Sequence, residues 1–194
     1  MKKLIFASKN EGKVKEVRKI LDGVNVKILS LNDVNYTGEI NETADTFEEN
    51  AKIKAELIFN TFKLPTIADD SGIVALQLDN EPGVYSARYA GDYATDAENN
   101  NKLLERLKSF PEPHKAKFIC AAVYYFGADF LLARGEVEGV IIKQPRGTMG
   151  FGYDPLFVPD GYDKTMAELP PEIKNKISHR FKAFDQLKKY LMEL

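Results

Sequence analysis

Thiol and imidazole ligands for a metal are scarce in this sequence: 194 residues hold one cysteine and two histidines, and no His/Cys cluster has the spacing of a zinc site. The single cysteine also excludes a disulfide within the chain. No stretch approaches the roughly 20 apolar residues that a membrane helix requires. The start, Met1–Ser8, has too short an apolar run for a secretory signal, and charge returns at Lys9. The net charge of -2 gives no reason to expect a polyanion such as duplex DNA as partner. There is no GxGxxG, no GxxxxGK followed by Ser or Thr, and no defensible Ser/His/Asp order. These absences predict a soluble cytoplasmic protein that binds neither nucleic acid nor membrane. At 44% hydrophobic, the chain can still bury a substantial core.

Periodicity supplies the elements. Lys3–Ala7 reads as a buried strand, followed by the polar break Ser8–Lys13. Val14, Val17 and Leu21 recur at helical spacing, and Asn25–Leu29 is a second strand. Residues 32–45 are a polar loop. Phe47, Ala51, Ala55, Ile58 and Phe62 define a helix that Pro65 stops near Lys63. Strands are predicted at Thr66–Asp69 and Ile73–Leu78, then a loop with Pro82-Gly83 and a helix over Asp96–Ser109. Lys115–Phe126 and Phe130–Lys143 read as a hairpin joined at Gly127-Ala128-Asp129. The glycine-rich loop Gln144–Tyr153 follows, and a last helix starts near Ser178, with Phe181, Phe184, Leu187 and Leu191 on one face. Early alternation and long late strands argue for α/β with a mixed sheet. The weakest boundary lies at Pro111-Glu112-Pro113, too short for a tether, so residues 1–194 are read as one domain.

The most informative spot is Asp69-Asp70, followed at once by Ser71-Gly72. On a strand the two acids point to opposite faces, so one could hold a metal or a water while the other is structural. Asp, Ser and Gly are also common turn formers, and the residue types favour a turn here. Ser8-Lys9-Asn10-Glu11-Gly12-Lys13 links a strand to a helix, which suits either an anion at the helix's positive end or a simple N-cap. Lys54 falls in the apolar stripe of its helix, so it must snorkel or meet an anion. Around Phe151 and Tyr153, glycines would let backbone approach a flat ligand, the rings could stack, and Asp154 could accept from ring N–H groups. His179 and Arg180 fall in a helix's first turn, where positive charge is disfavoured unless an acceptor lies nearby. Cys120, inside the run Phe118–Val123, is most simply a buried small residue.

Taken in order, Ser8-x-Asn10-x-x-Lys13, Thr46-Phe47-Glu48-Glu49-Asn50-Ala51-x-x-Lys54-Ala55, Ala68-Asp69-Asp70-Ser71-Gly72, Pro82-Gly83-Val84-Tyr85-Ser86-Ala87-Arg88-Tyr89, Gly150-Phe151-Gly152-Tyr153-Asp154-Pro155, Ala167-Glu168-Leu169 and Ile177-Ser178-His179-Arg180 resemble the inosine triphosphate pyrophosphatase family, the house-cleaning nucleoside triphosphate pyrophosphohydrolases. The resemblance implies an elongated, two-lobed α/β fold with a central mixed twisted β-sheet, flanking helices and a deep cleft. It implies Mg²⁺-dependent cleavage of ITP, dITP or XTP to the monophosphate and pyrophosphate. Carried over by motif, Asp70 is the general base and a metal ligand, and Glu42 is the second metal contact. Ser8, Lys9, Asn10, Glu11, Gly12, Lys13 and Lys54 would hold phosphates, and Ser71 would touch substrate. Phe151, Gly152, Tyr153 and Asp154, with Lys174, His179 and Arg180, would form the base pocket. Ile173 stands where the family usually has an acid, and Phe181 where Gly is frequent. The resemblance also implies a homodimer. A nucleotide sensor without catalysis, or a pyrophosphatase for modified pyrimidine triphosphates, would fit the same scaffold.

Overall fold

Local chemistry sets the ends of the elements in the computed structural model, which describes residues 2–193. Strand β1 (Lys2–Phe6) leads to helix α1 (Glu11–Ile20), whose N-cap Asn10 accepts the Lys13 N–H through its side chain. Strand β2 (Val26–Ser30) follows, then helix α2 (Phe47–Phe62), capped by Thr46 and ended by Lys63 in the left-handed conformation two residues before Pro65. Next come β3 (Thr66–Ala75) and helix α3 (Asp96–Leu107), which opens on a capping box of Thr95 and Glu98. Long strands β4 (His114–Tyr125) and β5 (Phe130–Ile141) follow, with short β6 (Phe157–Pro159), helix α4 (Pro171–Ile177) and helix α5 (His179–Leu191).

The strands form one six-stranded sheet in the order β2-β1-β3-β4-β5-β6. β1 pairs in parallel with β2 and β3, and β5 pairs antiparallel with β6, so the sheet is mixed as expected. The chain divides into two compact units. The first takes the stretch through Asp70, Cys120–Gly135 and the stretch from His179; the second takes Ser71–Ile119 and Glu136–Ser178. The candidate boundary at Pro111–Pro113 lies inside the second unit.

In the first unit, strand alternation sorts residues between helices. Leu4, Phe6, Ile67, Cys120 and Ala122 pack with Val14, Val17 and Ile20 of α1 and with Phe184 and Leu187 of α5. Tyr124 meets Tyr190 of α5, whereas its neighbour Tyr125 meets Phe59 of α2. α1 and α5 therefore cover one face of these strands and α2 the other. In the second unit, Ile73, Leu103, Leu107, Phe118, Tyr153 and Phe157 share a separate core.

One expectation is corrected. Asp69–Gly72 is no turn, because β3 runs unbroken through it. The acids are tolerated mid-strand because each finds cationic partners, described below. Gly72 is needed because a Cβ there would lie 2.3 Å from Ser86 Oγ, the atom that accepts the Ile73 N–H at 3.0 Å. The predicted strand at Ile73–Leu78 is thus the end of β3 plus a 3₁₀ turn at Leu76–Leu78. The loop at Pro82-Gly83 leads into a further 3₁₀ segment, Gly83–Arg88.

Candidate active site

Alternation along β3 sends its two acids to different helices. Asp70 faces α2, where Lys54 Nζ lies 3.1 Å from Asp70 Oδ1 and 3.1 Å from Glu42 Oε1. Lys54 is 6% exposed and so is Asp70, so the lysine of the apolar stripe has met its anion. Burial works against the Lys54 ammonium, yet the charges of Asp70, Glu42 and Asp69 outweigh it and raise its pKa. Burial also raises Asp70; Lys54 opposes this and Glu42 reinforces it. Asn50, fully buried one turn before Lys54, donates to Asp70 Oδ2 at 3.4 Å. It also exchanges two hydrogen bonds with the Ala44 backbone, at 3.0 and 3.1 Å, and so fixes the loop that carries Glu42.

Asp69 faces α1 and α5. Lys13 Nζ approaches its Oδ2 at 3.1 Å and Arg180 Nε at 3.2 Å. Arg180 also reaches Glu16 with Nη1 at 2.6 Å, so two carboxylates and two cations form a network in which Asp69 and Arg180 are buried and Lys13 and Glu16 half-buried. Burial would raise Asp69, but Lys13 and Arg180 hold it well below the usual carboxylate range. Arg180 is raised by Asp69 and Glu16 against the effect of its own burial. The acceptors that justify a cation in the first turn of α5 are therefore the protein's own carboxylates. Cys120 Sγ lies 3.9 Å from Asp69 Oδ2 and is fully buried, which pushes its thiol up.

The first polar loop is itself ordered. Ser8 Oγ accepts the Asn10 N–H at 3.1 Å, Lys9 Nζ donates to Gly38 O at 3.3 Å, and Glu11 accepts from Asn32 at 2.6 Å. Gly12 lies in the first turn of α1. His179 is the buried first residue of α5.

The remaining candidates lie in the second unit. Ser71 is half-buried on β3. In the glycine-rich loop, Asp154 Oδ2 accepts the Phe151 N–H at 3.0 Å and Lys174 Nζ at 2.6 Å. Gly150 has φ +81°, and a Cβ there would lie 2.1 Å from Asp154 Oδ2, so the ion pair fills its side-chain space. Lys174 Nζ also lies 5.2 Å from the Phe151 ring centroid. Tyr153 is only 5% exposed and donates its hydroxyl to Ser86 O at 2.8 Å. Its ring is core, leaving Phe151 as the loop's less buried aromatic.

The structure thus brings Lys54, Asp70 and Glu42 together in one unit, and Phe151, Asp154 and Lys174 in the other. Sequence reasoning assigned no role to Asn50 or Glu16. Asn50 had one signal, a polar residue at a buried helical position beside Ala51; Glu16 had none. As a cation site, Glu42 and Asp70 offer two hard carboxylates already sharing one positive charge, which suits an ion that keeps several waters. No group of three or more His, Cys, Asp or Glu among the described residues could hold a metal, so such an ion would complete its shell from water and ligand.

A family model described as the Ham1 family matches residues 4–190. The dITP/XTP pyrophosphatase of Geobacter sulfurreducens is 49% identical over 193 residues, covering 98% of this chain and 97% of that one. That of Bacillus subtilis is 48% identical and covers 98% of each. A HAM1 protein structure from Coxiella burnetii superposes with a TM-score of 0.91 at 39% identity, covering both chains completely (100% and 100%). The Staphylococcus aureus Ham1 protein gives 0.88 at 36% identity, covering 99% of each chain.

Proposed function

The chain belongs to the Ham1 family, and from that we propose that it hydrolyses deaminated purine nucleoside triphosphates (dITP, XTP and ITP) to the monophosphate and pyrophosphate. The observation that carries this reading is the Glu42–Lys54–Asp70 cluster. A carboxylate buried beside a lysine, with its pKa raised, is suited to take a proton from water. Phosphoryl chemistry asks a protein mainly for position and charge. Glu42 and Asp70 would hold Mg²⁺, which when bound supplies charge neutralisation and an acidified water. Lys54 and the Ser8–Lys13 segment, whose Lys13 already offsets Asp69, supply the positive field for the triphosphate. Asp70 accepts the proton as water adds to phosphorus and the bond to pyrophosphate breaks.

Base selection falls to Phe151–Asp154 and Lys174, with Ser71 and His179 as further substrate contacts. A 6-oxo purine presents an acceptor where adenine presents an amino donor. Donors held on the protein would leave adenine donor against donor, and a buried polar group left unpaired discriminates strongly. Arg180 serves this reading by neutralising Asp69 and Glu16, which keeps Lys13 from carrying that charge by itself. The reading includes a cytoplasmic homodimer.

The test is a substrate panel. Purified protein with Mg²⁺ is given dITP, XTP, ITP, ATP, GTP and modified pyrimidine triphosphates, and the phosphorus product is identified. Pyrophosphate from the deaminated purines, with ATP and GTP slow, is the expected result. Inorganic phosphate as product, or equal rates on ATP, refutes it; tight binding without turnover marks a sensor instead.

A further inference from the structure

Outside the residues already assigned, helix α3 grips the glycine-rich loop at one residue from both sides. Asp96 Oδ2 accepts the Gly152 N–H at 2.6 Å, and Asn100 Nδ2 donates to the Gly152 carbonyl at 3.1 Å. The two side chains stand four residues apart, and so on one face of α3. The neighbouring Phe151 N–H is bound by Asp154, and the Asp154 N–H by the Phe151 carbonyl at 3.3 Å. Asn100 makes its bond while its Oδ1 is buried with no hydrogen-bond partner among the described residues, so the amide is committed to the loop at a cost. Asp96 is exposed and Asn100 half-buried, so this clamp lies at the edge of the core rather than within it.

We infer that Asp96 and Asn100 are positioning residues for base selection: they fix the Gly152 peptides, and with them the angle at which Phe151–Asp154 meets a purine. The inference rests on the assignment of that loop to the base, made above. Discrimination by donors and acceptors demands placement within about 0.5 Å. A loop whose backbone groups are already bound is held to that tolerance before any ligand arrives. Removing either clamp lets the loop meet adenine and hypoxanthine on more equal terms.

The experiment compares kcat/KM for dITP and dATP in wild type, Asp96→Ala, Asp96→Asn and Asn100→Ala, with a melting curve for each. Both alanine variants are expected to lower the dITP/dATP ratio about tenfold, the size of one lost specific hydrogen bond. Asp96→Asn retains an acceptor and keeps most of the ratio. A purely structural role would lower Tm and scale both substrates alike, and that result overturns the inference. Should Asp96→Ala fail to fold, because Asp96 opens α3, Asn100→Ala in mid-helix carries the test. A wild type that does not favour dITP over dATP fells the functional reading and this inference with it. A selective wild type whose variants stay within about twofold of its ratio fells this inference and leaves the functional reading standing.

Discussion

Replacing Arg180 by leucine removes the guanidinium that joins α5 to β3 and α1 while keeping most of its apolar bulk. Its side chain is 3% exposed and that of Asp69 is 1%, so solvent cannot take its place. Breaking a buried pair from one side costs about 3–5 kcal/mol, because a charge is left uncompensated. Two features place the loss at the lower end. Lys13 stays 3.1 Å from Asp69, and Glu16, with 12% of its side chain exposed, can turn to water. The expected loss is therefore about 3 kcal/mol, or a fall in Tm of roughly 6–12 °C for a chain of this size. Thermal unfolding followed by circular dichroism measures it. Asp69→Asn and the double variant Asp69→Asn/Arg180→Leu complete a cycle whose coupling should reach at least about 1 kcal/mol. A single variant that melts within about 2 °C of wild type would refute the argument that the guanidinium compensates buried carboxylates.

Three further outcomes are expected. Asp70→Asn should lower kcat by about 100-fold or more while nucleotide affinity, measured by calorimetry without Mg²⁺, stays within about threefold; retained turnover would remove Asp70 from proton transfer. Lys54→Met removes the cation between Glu42 and Asp70, so Mg²⁺ should raise Tm more in the variant than in wild type, and equal shifts would argue against a metal at those carboxylates. Gly150→Ala forces a Cβ into the space of Asp154 Oδ2 at positive φ, and should cost about 1–3 kcal/mol by chemical denaturation.

Where one element carries its own pattern, the sequence was readable. The apolar stripe of α2 located the helix and marked Lys54 as a residue in need of an anion, because both facts repeat within a few turns. The β4–β5 hairpin was legible from two long strand-like stretches and the short break Gly127-Ala128-Asp129. Asp69 and Asp70 misled for the opposite reason. Their side chains suit a turn locally, and the cations that permit a strand come from distant segments, Arg180 lying 111 residues away in sequence. The same distance hid the acceptors of Arg180, since Glu16 is 164 residues from it. α4 escaped because its seven residues, which begin at Pro171 after the cap Pro170, are too few for periodicity, and β6 because it has three. At the candidate site, residue types suggested a role for Asp154, but Asp96 and Asn100 act through backbone contacts that no local pattern records.

Cys120 turns the charged interior into something that can be timed. Its sulfur lies sealed beside Asp69, and its thiol resists ionisation, so alkylating and oxidising reagents meet almost no thiolate while the fold is closed. Every labelling event must then wait for that region to open. With one sulfhydryl in the chain, the rate of its modification is a single-site clock for opening of the strands that carry the acids.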